Sequence, residues 1–199
     1  MTSPLRRYRI LVLPLAALVI GGLVWLGYRI QQLEQRATHV QRPRARRQPA
    51  PHFVLYDQHS QPVKFERYLG RTQLVVVFFD GEAGADRDPW LTPLRDHHDQ
   101  LIAAKVQVIG ISTATPYANR EAEKRSQEFP FPLLSDIGKD IPAPAHTLWG
   151  RFDPRDGSFH TGVFLVDRSG MVELEGQSYK PVADPQAVVK ALCAGQWPE

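Results

Sequence analysis

LVVVFF, residues 74–79, is a run of six apolar residues that after Leu74 are all β-branched or aromatic. A strand with one wet face alternates polar and apolar side chains. An unbroken run predicts a strand covered on both faces, as in the middle of a parallel sheet. Working outward, residues 53–56 and 63–65 alternate on either side of the polar turn DQHSQP and predict a hairpin, and residues 66–69, closed by Gly70, make one helical turn. On the other side the loop DGEAGADRD (80–88) leads to Pro89 and Trp90. Asp88 before Pro89 reads as an N-cap followed by a first-turn proline. Leu91, Leu94, Leu101 and Ile102 then recur at helical spacing, which predicts one helix to about Lys105.

VQVIGI (106–111) predicts a second buried strand, and residues 118–128 a charge-laced helix stopped by Pro130 and Pro132. Leu133 and Leu134, before Ser135 and Asp136, give a brief strand or turn. Residues 137–151 read as irregular, because Pro142 and Pro144 interrupt any long helix. GVFLV (162–166), the turn DRSG and residues 171–177 predict a second hairpin. Asp184 and Pro185 repeat the cap-then-proline start for a helix to Ala194, with Val188, Val189 and Leu192 turned inward. A βαβ unit followed by a ββα unit, behind an N-terminal hairpin, is an α/β three-layer sandwich of the thioredoxin type.

The 199-residue chain also carries a run without a charge, ILVLPLAALVIGGLVWLGY (10–28), whose 19 residues would make a helix of about 28 Å, near the thickness of a bilayer core. Arg6, Arg7, Arg9 and Arg29 fence it, and Trp25 and Tyr28 sit where an interfacial aromatic belt would lie. No small-x-small cleavage site precedes Arg29, which favours a retained anchor over a cleaved signal. Both flanks are positive, so the membrane side of the soluble part is left undetermined. RPRARRQPAP (42–51) predicts an extended, solvated tether. The expected organisation is a basic flank (1–9), a transmembrane helix (10–29), an Arg/Pro-rich linker (30–51) and one globular domain (52–196). The net charge of +3 owes much to the arginine-rich start, so it points to no nucleic-acid face on the domain.

FVLYDQHSQPVKFERYLGRTQLVVVFFD (53–80) resembles the opening of redoxin domains of the peroxiredoxin class, the alkyl hydroperoxide reductase/thiol-specific antioxidant type. VQVIGIST (106–113) is similar to the family's second strand, FPLLSD (131–136) to the segment after its second helix, and GVFLVDRSGMV (162–172) to its closing hairpin. The resemblance implies a thioredoxin-like fold and a peroxidatic cysteine in the motif P-x-x-x-T-x-x-C after the first long strand. Laid on this chain without gaps, that motif puts Gly81 at the proline, Ala85 at the threonine and Asp88 at the cysteine. The family's arginine falls near His160 or Thr161.

A carboxylate at a helix N-terminus satisfies free N–H groups but is a poor nucleophile and has no sulfenic acid state, so Asp88 is expected to be a structural cap. Cys193, the only cysteine, allows no intramolecular disulfide and is expected in the core, with Lys190 its only nearby cation. DHHD (96–99) spreads its side chains around a helix and predicts no metal site, and GEAGAD lacks the lysine of a phosphate loop, so no cofactor is implied. Asp80, Glu82, Asp86 and Asp88 crowd one acidic loop, read as solvated. The functional expectation is a membrane-anchored redoxin domain without thiol peroxidase chemistry, acting as an interaction or scaffold module through the loop that Asp80 opens and Trp90 closes. Two alternatives stand beside it: an antioxidant thiol oxidoreductase using Cys193 or a partner's thiol, and a small-ligand or metal binder in the vestigial pocket.

Overall fold

The computed structural model describes Trp25 and residues 46–137 and 143–198. The strands in chain order are β1 (Arg47–Pro49), β2 (Val54–Tyr56), β3 (Pro62–Lys64), β4 (Gln73–Phe78), β5 (Val106–Ser112), β6 (Leu133–Ser135), β7 (Phe152–Asp153), β8 (Ser158–Phe159), β9 (Gly162–Val166), β10 (Met171–Glu175) and β11 (Ser178–Tyr179). The helices are α1 (Leu91–Asp96), α2 (His98–Ala103), α3 (Pro116–Arg125), α4 (Pro144–Leu148) and α5 (Pro185–Cys193), with 3₁₀ turns at Phe65–Tyr68 and Ala85–Arg87.

The main sheet runs β1-β10-β9-β4-β5-β6-β2-β3, with β11 added to β10, while β7 and β8 form a separate ribbon. β4 pairs in parallel with β5, and β5 with β6; β9 and β10 continue antiparallel. β4 is central, as its apolar run requires. Val75, Val77 and Phe79 face a layer built from Leu91 and Leu94 of α1, Leu101 of α2 and Val189 and Leu192 of α5. Leu74, Val76 and Phe78 face the opposite layer, which holds Phe53, Phe65, Ala145 and Trp149. A strand sandwiched this way has no polar face to display, and none is present in its sequence.

Three local expectations are corrected. The single helix to Lys105 is two helices, broken at His97 (φ −112°, ψ 19°). The His97 ring folds back, with Nδ1 2.9 Å from the Pro93 carbonyl, and Lys105 ends the second helix with a left-handed φ of 60°. Arg47–Pro49, read as part of the solvated tether, is the edge strand β1, antiparallel to β10, and Ala50 behind it is buried. Within the supposedly irregular 137–151 lies α4. Its Pro144 occupies the first turn, where a missing N–H costs nothing, and the Asp136 carboxylate accepts the next two N–H groups, from Ala145 (3.0 Å) and His146 (2.8 Å). The anchor expected over 10–29 lies, Trp25 apart, outside the described residues. Among the described residues no helix is long and apolar enough to cross a membrane.

Candidate functional site

The loops that follow β4 and β5 and the one that leads into β9 meet around a cleft of about 410 Å³. Phe79, Asp80, Gly81 and Glu82 line it from the first loop, Thr113 from the second, and His160 and Thr161 from the third. A crevice outside the carboxyl ends of parallel strands is where α/β sheets place their ligands. Gly81 and Thr161 therefore lie in this cleft, and Asp88 is not among the residues that line it.

Asp88 is 7% exposed, and its Oδ1 accepts the N–H groups of Trp90 and Leu91, both at 2.9 Å. The expected cap is thus present, although regular helix begins only at Leu91. Burial pushes the Asp88 carboxyl above its ordinary range, against the pull of those two N–H donors, and the Asp80 charge adds to the rise. A carboxyl raised in the folded state contributes most to stability below its unfolded value, and the contribution falls as pH rises through the folded one. Asp88→Asn, which keeps an acceptor and removes the charge, is expected to match the wild type in urea unfolding at acid pH and to exceed it at neutral pH. Asp88→Ala should cost about 1 kcal/mol at neutral pH through the lost cap.

The neighbouring positions are closed to the family's residues for steric reasons. A Cβ on Gly81 would meet the Ala114 nitrogen at 2.8 Å, so a proline cannot stand there on this backbone. Ala85 is fully buried, and a threonine in its place would bring a hydroxyl into the core. Asp86 is not a solvated member of the acidic loop. It accepts two bonds from Arg125 of α3, Nη2 to Oδ1 at 2.7 Å and Nε to Oδ2 at 3.1 Å, and these hold its carboxyl below the usual range. Of the four acidic residues, Asp80 and Glu82 face the cleft.

Two features escape a reading along the chain. Arg151 donates from Nε to the His160 carbonyl (3.2 Å) and from Nη2 to the Thr161 carbonyl (2.6 Å), so an arginine does stand beside the position where the resemblance looked for one. Burial lowers its pKa from the ordinary arginine value. His146, 2% exposed, lines the cleft edge-on between Phe78 and Phe159, and its Nδ1 lies 2.6 Å from Asp136 Oδ2. Opposite a carboxylate, Nδ1 is the donor. The one sequence signal for this pair was Ser135-Asp136 at a strand end, a helix-cap pattern whose helix comes only eight residues later.

Cys193 is elsewhere, in a groove lined also by Pro89, Pro93 and His97. Its Sγ lies 3.6 Å from the Pro93 carbonyl, and burial together with Asp96 pushes the thiol up, away from the thiolate that redox chemistry needs. It packs against the core at its partly buried edge. In the DHHD run, Asp96 pairs with Arg95, His97 bonds Pro93 and His98 packs on Phe131. Among the described residues no three His, Cys, Asp or Glu side chains are placed to hold a metal ion.

A mixed sheet with β4 and β5 parallel at its centre, and a helix start beside a cleft at their carboxyl ends, is a thioredoxin-like redoxin domain. Residues 47–174 match the AhpC/TSA family, and the chain belongs to it. It is 31% identical over 146 residues to alkyl hydroperoxide reductase E of Mycobacterium tuberculosis, covering 73% of this chain and 94% of that protein. It is 33% identical over 132 residues to the chloroplastic peroxiredoxin Q of Oryza sativa subsp. japonica, covering 62% and 55%. Among solved structures, peroxidoxin BcpB from Mycobacterium tuberculosis superposes with a TM-score of 0.55 at 18% identity, over 76% of this chain and 95% of that one, which shows the shared fold.

Proposed function

We propose that this chain is a membrane-anchored peroxiredoxin-like module whose thiol peroxidase site has become a binding cleft, with the loop 80–90 as its contact surface. The observation that carries this is Asp88: the residue that the resemblance sets at the reactive thiol is a buried carboxylate already engaged by two backbone N–H groups at a helix start. What the loop offers to a partner is Asp80, Glu82, Ala83, Arg87 and Pro89, all exposed. The apolar run 10–28 between arginines supports the anchor.

The names of the relatives favour a second reading, peroxide reduction, which in this chain would run through Cys193 or a partner's thiol. One experiment separates the two. The purified full-length protein is given hydrogen peroxide and a thiol reductant, and peroxide loss is compared with Cys193→Ser and Asp88→Cys. The binding-cleft reading expects all three to match the protein-free rate within a factor of about 2, because burial and Asp96 push the thiol at 193 up and position 88 is buried. Peroxide loss that Cys193→Ser abolishes would establish the second reading, and activity gained by Asp88→Cys would show that the peroxidase machinery is intact.

A further inference from the structure

At the opposite end of β4 from the Asp80 cleft lies a second one of about 270 Å³, formed by β3, the 3₁₀ turn that follows it, the two residues Arg71 and Thr72 that lead into β4, and the second residue of β5. Its polar lining consists of Lys64, Arg67, Arg71, Tyr68, Thr72 and Gln107, with no carboxylate among the residues that line it. Surface cations ordinarily stand near carboxylates, as Arg47, Lys124 and Lys180 do here. Among the described residues, none of Lys64, Arg67 and Arg71 takes part in an ion pair.

The acids in the neighbouring sequence do not line the cleft. Asp57 accepts the N–H groups of His59 and Gln61, and Glu66 is exposed outside the cleft. The remaining lining groups add donors. Burial, with Asp57 second, pushes the Tyr68 phenol up, so it keeps its proton. Thr72 Oγ1 is buried without a hydrogen-bond partner among the described residues, and Gln107 brings an amide. Three cations and these donors around one concavity lack a single component, an oxyanion of more than one charge.

Carboxylates carry one charge and two oxygens; a phosphate monoester carries close to two charges and three terminal oxygens, which matches two guanidinium forks and an ammonium better. The volume is below the roughly 300–1,000 Å³ of sites that engulf whole small molecules, so the cleft takes a phosphate group and leaves what bears it outside. We propose that this cleft is a binding site for a phosphate monoester group, with Arg67 and Arg71 clasping its oxygens and Lys64 supplying the third charge. The group has two possible sources, a soluble phosphate compound or the headgroup of an anionic lipid such as phosphatidate. The second source is at hand if residues 10–28 span a bilayer.

The test uses the full-length chain reconstituted in phosphatidylcholine nanodiscs and titrated with inorganic phosphate at fixed ionic strength, binding being read by calorimetry. Saturable binding is expected, weakened about 10-fold or more in Arg67→Ala/Arg71→Ala and unchanged in Arg168→Ala, a cation outside the cleft. Unchanged melting temperatures confirm that the exposed substitutions leave the fold intact, and Lys64→Gln gives a second, independent weakening. Discs containing phosphatidate separate the sources. Loss of phosphate binding there assigns the site to lipid, and retained binding assigns it to a soluble phosphate. Failure to saturate, or equal weakening by Arg168→Ala, overturns the proposal.

Discussion

Asp136→Ala is expected to lower the free energy of unfolding by about 3 kcal/mol or more, because it leaves three buried donors without an acceptor and each unsatisfied buried group costs about 1–3 kcal/mol. The carboxylate is 1% exposed and collects three donors: the Ala145 and His146 N–H groups and His146 Nδ1. Alanine orphans all three in a place water does not reach, and α4 loses what holds its first turn. Asp136→Asn keeps an acceptor and should cost less. His146→Phe should also cost less, because Asp136 then still accepts two backbone bonds. Urea denaturation of the three variants gives the ranking. An alanine variant within 1 kcal/mol of wild type would mean that α4 stands without its cap.

Trp149→Ala should cost about 3–5 kcal/mol, the range for a large aromatic deleted from a packed core. Trp149 is fully buried at the end of α4, with ring centroids at 4.9 Å from Phe164 and Tyr179, 5.8 Å from Phe78 and 6.1 Å from Phe65. It joins the short helix, the central strand, β9 and the N-terminal turn. Its Nε1 has no hydrogen-bond partner among the described residues, so Trp149→Phe loses packing but also removes an unpaired donor. The phenylalanine variant is therefore expected to retain more than half of the lost stability in thermal or urea unfolding.

What a sequence makes legible here depends on how far apart the interacting groups are. β4 is readable because its signal, burial on both faces, is contained in six consecutive residues. The cap at Asp184 is readable because its partner, the Ala187 N–H, is three residues away. α4 is not, because its five residues are too few to show periodicity and its cap comes from Asp136, nine residues before Ala145. β1 is hidden for another reason. RQP has exposed side chains and pairs with β10 through its backbone, so its composition looks like that of a tether.

The site divides the same way. That Asp88 caps a helix start could be expected from Asp-Pro alone. That Asp86 is bound by Arg125, 39 residues on, that Arg151 reaches the carbonyls of His160 and Thr161, and that His146 is held by Asp136 all depend on the sheet bringing loops together. The acidic loop is consequently less free than its composition suggests, and the cleft more furnished.

The contact of Gly81 with Ala114 bears on what mutation can undo. With the Ala114 nitrogen 2.8 Å from where a Cβ would sit, the loop after β4 and the loop after β5 have closed on each other. A thiol placed at 88 would find no room for a side chain at Gly81 and a fully buried methyl at Ala85, so one substitution does not bring a proline and a threonine with it on this backbone. The loops that follow the two parallel strands are thus locked to each other at one glycine, and what either can carry is set by the other.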